Sequence, residues 1–340
     1  MDTLTPRVTL AAVWTGGSEV ELQKVEIPEL GDGDVLVQVR LATVCGSDLH
    51  TVTGRRSAAC PSILGHEAVG DVIAAGPRAP VQVGQRVVWS VTVTCGECTR
   101  CRSGLTAKCT SVRKVGHEPF DGDWPLSGSY AEHVVLPKGT TIAVVPSALP
   151  DTVAAPAACA TATVMATLEA AGEVAGRRVL IGGAGMLGLT AVAACAEAGA
   201  DVQVVDIDPG RLELATEFGG RAGDEEPVDV AIDYTGSTDA VAQALGRLDI
   251  GGVLVLAGSV MPGAPLAVDP EAVVRQWLTI TGVHNYEPRH LHRAVEFLDR
   301  TSDRYPWHSL VGAPVPLDDI ASAFCAPPVG KLRTAVAPRP

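Results

Sequence analysis

Strands alternate with helices between residues 178 and 283, and this order constrains the fold more than any other feature of the sequence. Residues 178–181 are typical of a short apolar strand, G-A-G-M-L-G (183–188) follows, and an Ala-rich helix runs to Gly199. The pattern continues with predicted strands at 202–206, 228–233, 252–257 and 278–283 and predicted helices at 211–218, 238–248 and 270–276. Such alternation produces parallel βαβ units. The sequence therefore predicts an α/β domain with a doubly wound parallel sheet.

The glycine-rich turn after the first of these strands has the spacing G-x-G-x-x-G. Gly183 would make the tight turn, Gly185 would let the backbone approach a pyrophosphate, and Gly188 would let helix and strand pack closely. Asp206 ends the next strand, where a carboxylate can accept hydrogen bonds from ribose hydroxyls and repels a 2′-phosphate. We therefore expect NAD rather than NADP. The alternative is a glycine-rich turn in a Rossmann-like domain that binds no dinucleotide.

The first 150 residues do not show this alternation of strands and helices. Strand-like segments punctuated by glycine and proline predict a mostly β domain. These segments are 8–14, 20–27, 35–44, 67–75, 84–91, 130–136 and 140–145. One helix is predicted at 151–172. Two more are predicted at 288–300 and 317–325, before a closing strand in K-L-R-T-A-V-A.

Four cysteines lie close together in the N-terminal half. They are Cys95, Cys98, Cys101 and Cys109. Zinc takes four thiolates tetrahedrally, and a site with no vacancy is structural because no position is left for a substrate. We predict a structural zinc at these cysteines, the alternative being a degenerate lobe without metal.

The segment from Cys45 to Glu67 carries a different mixture of reactive side chains. Cys45 and His66 are 21 residues apart, and each lies next to a glycine. A catalytic zinc needs about three protein ligands and one open position. Cys159, in A-A-P-A-A-C-A-T-A-T, is the candidate for the third ligand, although spacing alone would not identify it.

The composition limits the classes of partner that the protein is expected to bind. With 39 acidic and 26 basic residues the net charge is -13, which disfavours nucleic acid and anionic membranes as general partners. The N-terminal M-D-T-L-T-P-R shows no signal-peptide pattern, and no run of 18 or more apolar residues occurs. We therefore expect a cytoplasmic protein that acts on a small molecule.

Taken together, C-G-S-D-L-H, G-H-E, the four-cysteine lobe, G-A-G-M-L-G and G-K-L-R-T resemble the zinc-dependent medium-chain alcohol dehydrogenases over the whole chain. The resemblance implies a GroES-like catalytic domain at 1–157 and 287–340 and a Rossmann NAD-binding domain at 158–286. It also implies a homodimer or homotetramer. Two zinc ions per chain are expected, one catalytic on Cys45, His66 and Cys159, and one structural.

The same resemblance implies roles for further residues. Asp48 would orient His66, Glu67 would lie beside the metal, Ser47 would hold the substrate hydroxyl, and His50 would pass its proton to solvent through the cofactor ribose. Arg333 would contact the pyrophosphate. The implied cofactor-binding residues are Gly183, Gly185, Met186, Leu187, Gly188, Asp206, Arg211 and Arg333.

The sequence also departs from the family pattern. Between Phe218 and Val228 the chain is short, so the third Rossmann strand and its crossover helix should be reduced or missing. Gly116-His117-Glu118 repeats G-H-E without a cysteine at the catalytic spacing, which favours a substrate-loop or structural role. His284, in T-G-V-H-N-Y, would face the substrate or be a buried structural histidine.

Arg55 and Arg56 bear on substrate identity. Two adjacent guanidinium groups could hold a phosphate, phosphonate or carboxylate, or form a solvated surface pair. The wording C-G-S-D-L-H-T-V-T-G-R-R resembles a subgroup associated with phosphonate metabolism. We therefore expect NAD-linked interconversion of an anionic hydroxyalkyl substrate and its aldehyde or ketone. The alternatives are a polyol or amino-alcohol dehydrogenase and a catalytically inactive dinucleotide-binding protein.

Overall fold

A computed structural model describes residues 6–339; residues 1–5, which include most of the N-terminal segment read for a signal peptide, lie outside the described residues. The chain forms two compact units. The first runs to Cys159 and resumes at Glu287–Ser302 and from Trp307 onward. The second comprises Ala160–Tyr286 and Asp303–Pro306.

Strands dominate the first unit and alternate with helices in the second. In chain order they are β1 (Val8–Gly16), β2 (Glu19–Glu26), β3 (Val35–Thr43), β4 (Ser62–Ile63), β5 (Ala68–Ala75), β6 (Arg86–Val93), β7 (Arg113–Lys114), β8 (His133–Leu136), β9 (Thr140–Val144), β10 (Arg178–Gly182), β11 (Asp201–Val205), β12 (Arg221–Ala222), β13 (Val228–Asp233), β14 (Leu248–Leu256), β15 (Thr279–Gly282), β16 (Val311–Pro316) and β17 (Arg333–Ala337).

Helices connect these strands, and several short 3₁₀ turns accompany them. The α-helices are α1 (Gly46–Val52), α2 (Thr99–Arg102), α3 (Asp151–Ala154), α4 (Ala160–Ala171), α5 (Met186–Glu197), α6 (Pro209–Glu217), α7 (Thr238–Gly246), α8 (Pro270–Gln276), α9 (Pro288–Thr301) and α10 (Ile320–Ala323). The 3₁₀ turns are Thr106–Lys108, Pro125–Ser127, Ala155–Ala158, Trp307–Leu310 and Leu317–Asp319.

The first unit is organised around a curled sheet with the order β16-β17-β3-β5-β6-β7, in which β8 also pairs with β3 and β9 with β6. A smaller sheet has the order β2-β1-β4. Strands β3 and β6 are buried along most of their length and contribute Leu36, Val37 and Trp89 to the core. Strand β17 pairs antiparallel with β3, where Ala335 lies opposite Thr43. A strand from late in the sequence therefore lies beside the strand that delivers Cys45.

The second unit is a six-stranded parallel sheet with the order β12-β11-β10-β13-β14-β15. This is the doubly wound sheet that the alternating pattern predicts. The predicted reduction of the third strand is confirmed, since β12 has two residues. No helix separates β12 from β13 in the described chain, because only residues 223–227 connect them.

The structure differs from the prediction most clearly at residues 151–172. The predicted single helix is divided into α3, a 3₁₀ turn and α4, with a break at Cys159, whose φ of −125° and ψ of −67° are not helical. Helix α1 and strand β16 were not predicted, and the predicted helix at 317–325 is a 3₁₀ turn followed by α10. Among the described residues no single helix is long and apolar enough to cross a membrane; the helices on either side of Cys159 pass that test only as a broken pair.

Candidate active site and metal centres

Cys45 is held where strand β3 gives way to helix α1. It is the N-cap of α1, and its backbone N–H donates to Asp48 Oδ2 at 3.0 Å. The preceding Val44 N–H donates to the carbonyl of Thr334, in strand β17. The thiol therefore stands on backbone fixed by a helix start on one side and a sheet strand on the other.

The structure brings together the three predicted ligands of the catalytic metal. Ligand atoms of Cys45, His66 and Cys159 all lie within 4.8 Å of one another. Cys45 and His66 are buried, and Cys159 is half-buried at the helix break. The break turns Cys159 out of a regular helix, so the departure from the predicted helix falls on a ligand. Two thiols and one imidazole form the mixed donor set of a catalytic zinc site.

The electrostatics of this site suit a metal cation. The pKa of Cys45 lies well below its ordinary value because the thiol of Cys159 hydrogen-bonds to it; burial opposes this shift, and the charge of Arg333 adds to it. The guanidinium of Arg333 lies 3.7 Å from Cys45 Sγ. A thiolate is the form of cysteine that binds metal. The residues present therefore fit a zinc ion.

Asp48 lies behind the ring of His66. Asp48 Oδ1 lies 3.4 Å from His66 Nδ1, which leaves Nε2 toward Ser47, whose Oγ is 3.2 Å away. The other carboxylate oxygen of Asp48 accepts a hydrogen bond from the hydroxyl of Tyr130 at 2.9 Å. Carboxylates behind ligating imidazoles fix the ring and its tautomer. Sequence reasoning missed Tyr130, because an aromatic residue in G-S-Y-A-E is typical of a core position.

Glu67 and Arg333 form a buried ion pair directly behind the metal centre. Arg333 Nε and Nη2 donate to the two Glu67 carboxylate oxygens at 2.8 and 3.0 Å, and the hydroxyl of Thr43 donates to the same group at 2.8 Å. Glu67 is 0% and Arg333 is 7% exposed. The structure thus places the predicted pyrophosphate-binding arginine on Glu67; its contact with a cofactor stays a prediction.

Ser47 and His50 occupy one face of α1. They are three residues apart, which puts their side chains on the same side of a helix, and both are half-buried. Ser47 is within hydrogen-bonding distance of His66, whereas His50 lies one turn further toward the loop that contains Arg56. The spacing therefore places a hydroxyl group and a second imidazole one after the other on the same face of the helix.

The four-cysteine lobe is the second metal centre. The ligand atoms of Cys95, Cys98, Cys101 and Cys109 lie within 4.8 Å of one another. Backbone N–H groups donate to the sulfurs, as from Cys98 to Cys95 Sγ at 3.4 Å. Hydrogen bonds from the backbone of Thr110 and Cys101 lower the pKa of Cys98 to about 5. These donors prepare thiolates, which suits a closed Zn(Cys)₄ site.

Glu287 anchors this lobe from far along the chain. Its carboxylate accepts hydrogen bonds from the Thr106 N–H at 3.0 Å, the Thr106 hydroxyl at 2.6 Å and the Ala107 N–H at 3.1 Å. Glu287 is also the N-cap of α9. One side chain thus links the lobe to a helix of the same unit. No sequence pattern signals this contact, because the partners are about 180 residues apart.

The glycine turn has the shape that a dinucleotide requires. Gly183 has a φ of +90°, and a Cβ on Gly188 would lie 1.7 Å from the Gly183 carbonyl oxygen. A Cβ on Gly185 would meet nothing within 4 Å. Gly185 is also the N-cap of α5 and has no side chain to satisfy the first N–H groups. Open space in front of free helical N–H groups fits a pyrophosphate. Met186 and Leu187 form the first turn of that helix.

Asp206 follows the second strand of the parallel sheet, as predicted. Its Oδ2 accepts a hydrogen bond from Ala184 N–H at 2.6 Å, and its Oδ1 accepts one from Asp208 N–H at 2.8 Å. Arg211 Nη1 lies 4.0 Å from Asp206. The adjacent Ile207 is fully exposed. The carboxylate is therefore held at the glycine turn, with one arginine within reach of it.

The three predicted substrate residues have different surroundings. Arg56 is half-buried, and its backbone N–H donates to the His50 carbonyl at 3.0 Å, whereas Arg55 is exposed. His284 follows β15 in the second unit and is exposed, so the alternative of a buried histidine is wrong. His117, from the repeated G-H-E, stands with its ring centroid 5.2 Å from that of His66.

Comparisons with known proteins agree with this arrangement. Residues 31–147 match the family described as alcohol dehydrogenase GroES-like domain, and residues 187–300 match zinc-binding dehydrogenase. An L-threonine 3-dehydrogenase from Chelativorans sp. is 31% identical over 293 residues, which are 78% of this chain and 80% of that protein. One from Aeromonas salmonicida is 32% identical over 289 residues, or 77% and 80%.

Solved structures show the same likeness. An alcohol dehydrogenase from Thermotoga maritima has a TM-score of 0.89 at 26% identity, covering 98% of this chain and 100% of that one. A zinc-binding dehydrogenase from Sinorhizobium meliloti 1021, bound to NADP, has a TM-score of 0.87 at 25% identity with the same coverage. The resemblance to a phosphonate-associated subgroup stays a prediction. With its GroES-like and Rossmann folds and its two metal centres, this chain belongs to the zinc-binding alcohol dehydrogenase family, oxidoreductases that act on CH–OH groups.

Proposed function

We propose that this protein is a zinc-dependent, NAD-linked dehydrogenase that interconverts an anionic hydroxyalkyl substrate and its aldehyde or ketone. The observation that carries the proposal is the convergence of Cys45, His66 and Cys159 within 4.8 Å, with Ser47 3.2 Å from His66. A buried mixed-donor centre with a hydroxyl beside it suits an alcohol oxygen better than a purely structural role.

When bound, zinc supplies Lewis acidity at the substrate oxygen. The chain's own residues then orient the metal ligand His66 and transfer the proton of the substrate hydroxyl. Ser47 Oγ accepts the hydroxyl proton of the alcohol, and His50, one turn along α1, takes it onward to solvent. NAD⁺ held at the glycine turn and Asp206 would supply a hydride acceptor for the carbinol carbon, so the products would be a carbonyl compound, NADH and one proton. Asp48 and Tyr130 keep His66 in one orientation throughout.

Preference for NAD rests on Asp206. Its carboxylate at the end of β11 would accept hydrogen bonds from ribose hydroxyls and would repel a 2′-phosphate. Arg211 favours NADP instead, because its exposed guanidinium near Asp206 could attract that phosphate. One structural relative was also solved with NADP. Arg211 also lies 3.6 Å from Asp208, so two carboxylates share it. We therefore keep NAD as the proposed cofactor.

An L-threonine-type amino alcohol is the second candidate substrate, since the relatives from Chelativorans and Aeromonas are named L-threonine 3-dehydrogenase. An ammonium group on a substrate needs an acidic partner. The buried carboxylates nearest the centre already have partners, Glu67 with Arg333 and Asp48 with Tyr130. The half-buried Arg56 near His50 offers a cation, which suits a phosphonate and equally suits the carboxylate of L-threonine.

The test is a screen of the zinc-loaded enzyme with NAD and NADP, followed at the nicotinamide absorbance. The panel contains a hydroxyalkylphosphonate, the neutral alcohol of equal chain length, L-threonine and a polyol. We expect the phosphonate to be oxidised with NAD at a kcat/KM at least about tenfold above the neutral alcohol. The Cys45→Ser variant is the negative control. An enzyme that binds NAD and both zinc ions but oxidises no alcohol would contradict the proposal and support the inactive dinucleotide-binding alternative.

We also propose that a second copy of the chain covers the β15 edge of the parallel sheet. No strand pairs with the outer edge of β15 in the described chain. Helix α8, which precedes it, has no buried residue. Val274, Trp277 and Ile250 around this edge are 71%, 80% and 77% exposed. Self-pairing satisfies an open edge and covers exposed apolar side chains at once.

A further inference from the structure

Glu287 holds the turn that leads into Cys109, a ligand of the four-cysteine lobe. Its carboxylate accepts three hydrogen bonds, from the N–H and the hydroxyl of Thr106 at 3.0 and 2.6 Å and from the N–H of Ala107 at 3.1 Å. The 3₁₀ turn that begins at Thr106 ends at Cys109, whose N–H donates to the Thr106 carbonyl at 2.9 Å. The carboxylate therefore fixes the backbone directly before a zinc ligand.

Cys109 is the lobe thiol on which the other ligands depend most. Its Sγ lies 3.4 Å from Cys95 Sγ and 3.9 Å from Cys98 Sγ, and the Cys95 N–H donates to it at 3.4 Å. Cys109 is buried, whereas Cys95 is exposed. A shift of this one thiol would therefore change its distances to two further ligands. Hydrogen bonds that orient metal ligands commonly change metal affinity by about 10–100-fold when they are removed.

The donors around Glu287 require a carboxylate. One carboxylate oxygen accepts both hydrogen bonds from Thr106, and the other accepts the N–H of Ala107. A glutamine would keep one of these acceptors and turn its NH₂ group toward the remaining donor. Glu287 is 9% and Ala107 is 8% exposed, so water cannot easily replace the lost acceptor. A buried donor without a partner destabilises the local structure.

The backbone of the same residue begins helix α9. The Glu287 N–H donates to His290 Nδ1 at 3.0 Å, and the Glu287 carbonyl accepts from the His290 N–H at 2.8 Å. Helix α9 packs against the 3₁₀ turn Ala155–Ala158, whose C-cap is the catalytic ligand Cys159. The side chain of Glu287 thus holds the lobe, while its backbone holds the first turn of a helix that contacts the segment before Cys159.

We propose that Glu287 is a positioning residue of the structural zinc centre, through which zinc in the four-cysteine lobe and the start of helix α9 stabilise each other. A lobe with zinc bound holds Cys109 in place, and Cys109 holds the turn that donates to the carboxylate. Because coupling between two sites is reciprocal, zinc stabilises the start of α9 by the same free energy by which an ordered α9 favours zinc.

Zinc release from the full-length, zinc-loaded protein into a colorimetric chelator gives the first test. Glu287→Gln should release the lobe zinc at least about tenfold faster than wild type, and Thr106→Val, which loses only the hydroxyl bond, about threefold faster. The Cys45→Ser background removes a ligand of the catalytic zinc and so assigns the release to the lobe. Asp34→Asn is the matched control, because Asp34 also accepts two backbone N–H groups but in another loop of the same unit, and should change the rate less than about twofold.

Hydrogen exchange of the α9 amides gives the reverse test. Cys98→Ser removes one lobe ligand, so the first turn of α9 should exchange at least about tenfold faster, whereas Cys98→Ser should cause no further increase in Glu287→Gln. Wild-type zinc release from Glu287→Gln would overturn the proposal, as would equal loosening of α9 by Cys98→Ser with and without the carboxylate. If Glu287→Gln does not fold, Thr106→Val decides, and a release rate no faster than that of Asp34→Asn would overturn the proposal. Neither readout requires turnover, so both are independent of which alcohol the enzyme oxidises.

Discussion

Glu67 and Arg333 show how much of the centre depends on single buried charges. The carboxylate is fully buried, and the guanidinium binds both of its oxygens from a strand 266 residues away. Removing one partner of a buried ion pair leaves an uncompensated charge. That charge destabilises the folded protein far more than the intact pair stabilises it. The arginine therefore stabilises the backbone next to His66 whether or not it also touches a cofactor.

We expect Arg333→Leu to lower the free energy of unfolding of the zinc-loaded protein by about 3–5 kcal/mol. The double variant Glu67→Gln/Arg333→Leu should recover part of that loss, because no charge is then left buried. Urea unfolding of both proteins measures the difference. Arg221→Gln removes exposed pairs with Asp201 and Asp224 and serves as the control, with an expected loss below about 1 kcal/mol. Equal losses in Arg333→Leu and Arg221→Gln would refute the buried-charge argument.

The residues that sequence reasoning found lie in short motifs, whereas the residues that it missed contact partners far away along the chain. Cys45 and His66 were candidates for metal ligands by residue type and spacing, whereas the roles of Ser47 and Asp48 were implied only by the family resemblance of their motif. Tyr130 and the anchoring contact of Glu287 act on partners 82 and about 180 residues away. Pairings over such distances exist only in the folded chain. A resemblance to a family likewise implied a cofactor contact for Arg333 but not its partner Glu67.

Among the elements, most predicted strands and helices agree with the structure within a few residues, whereas the helices predicted at 151–172 and 317–325 do not. Short strand-like segments punctuated by glycine and proline predicted most of the β-rich region, and strand–helix alternation predicted the parallel sheet. The helix predicted at 151–172 failed at Cys159, because the backbone there leaves helical geometry where the residue meets Cys45 and His66. Tertiary demands of this kind override local helix propensity.

At the glycine turn, alanine substitutions at two glycines should have different effects, one on NADH binding and the other on stability. Gly185 has an extended backbone and open space at its Cβ position, so Gly185→Ala should fold normally but weaken NADH binding at least about tenfold, since the methyl group occupies the place of the pyrophosphate. Gly188→Ala meets a carbonyl oxygen at 1.7 Å and should lose about 1–3 kcal/mol of stability. Fluorescence titration with NADH and thermal unfolding measure the two effects. Normal NADH affinity in a folded Gly185→Ala protein would show that the pyrophosphate lies elsewhere.

For the whole molecule, the exposed edge at β15 predicts self-association. Trp277 is 80% exposed and has a left-handed backbone with φ of +54°, a conformation that asparagine tolerates better than tryptophan. Trp277→Asn should therefore fold at least as well as the wild type while sedimenting as a smaller species. Analytical ultracentrifugation over a dilution series measures this. Val83→Asn, at a site 62% exposed in the other unit, should leave the assembly unchanged, and a wild type that is monomeric throughout would contradict the proposed interface.

Strand β17 has a consequence for the order in which the molecule can be built during synthesis. It lies inside the large sheet, between β16 and β3, and brings the arginine that neutralises Glu67. Until Arg333–Ala337 leaves the ribosome, Ala42 and Thr43 at the end of β3 have no strand beside them on this side, and Glu67 has no cation. The parallel sheet, in contrast, is encoded in one uninterrupted stretch, Ala160–Tyr286. Because domains fold as their residues emerge, the unit that contains β1 is synthesised first but is the last one able to finish folding.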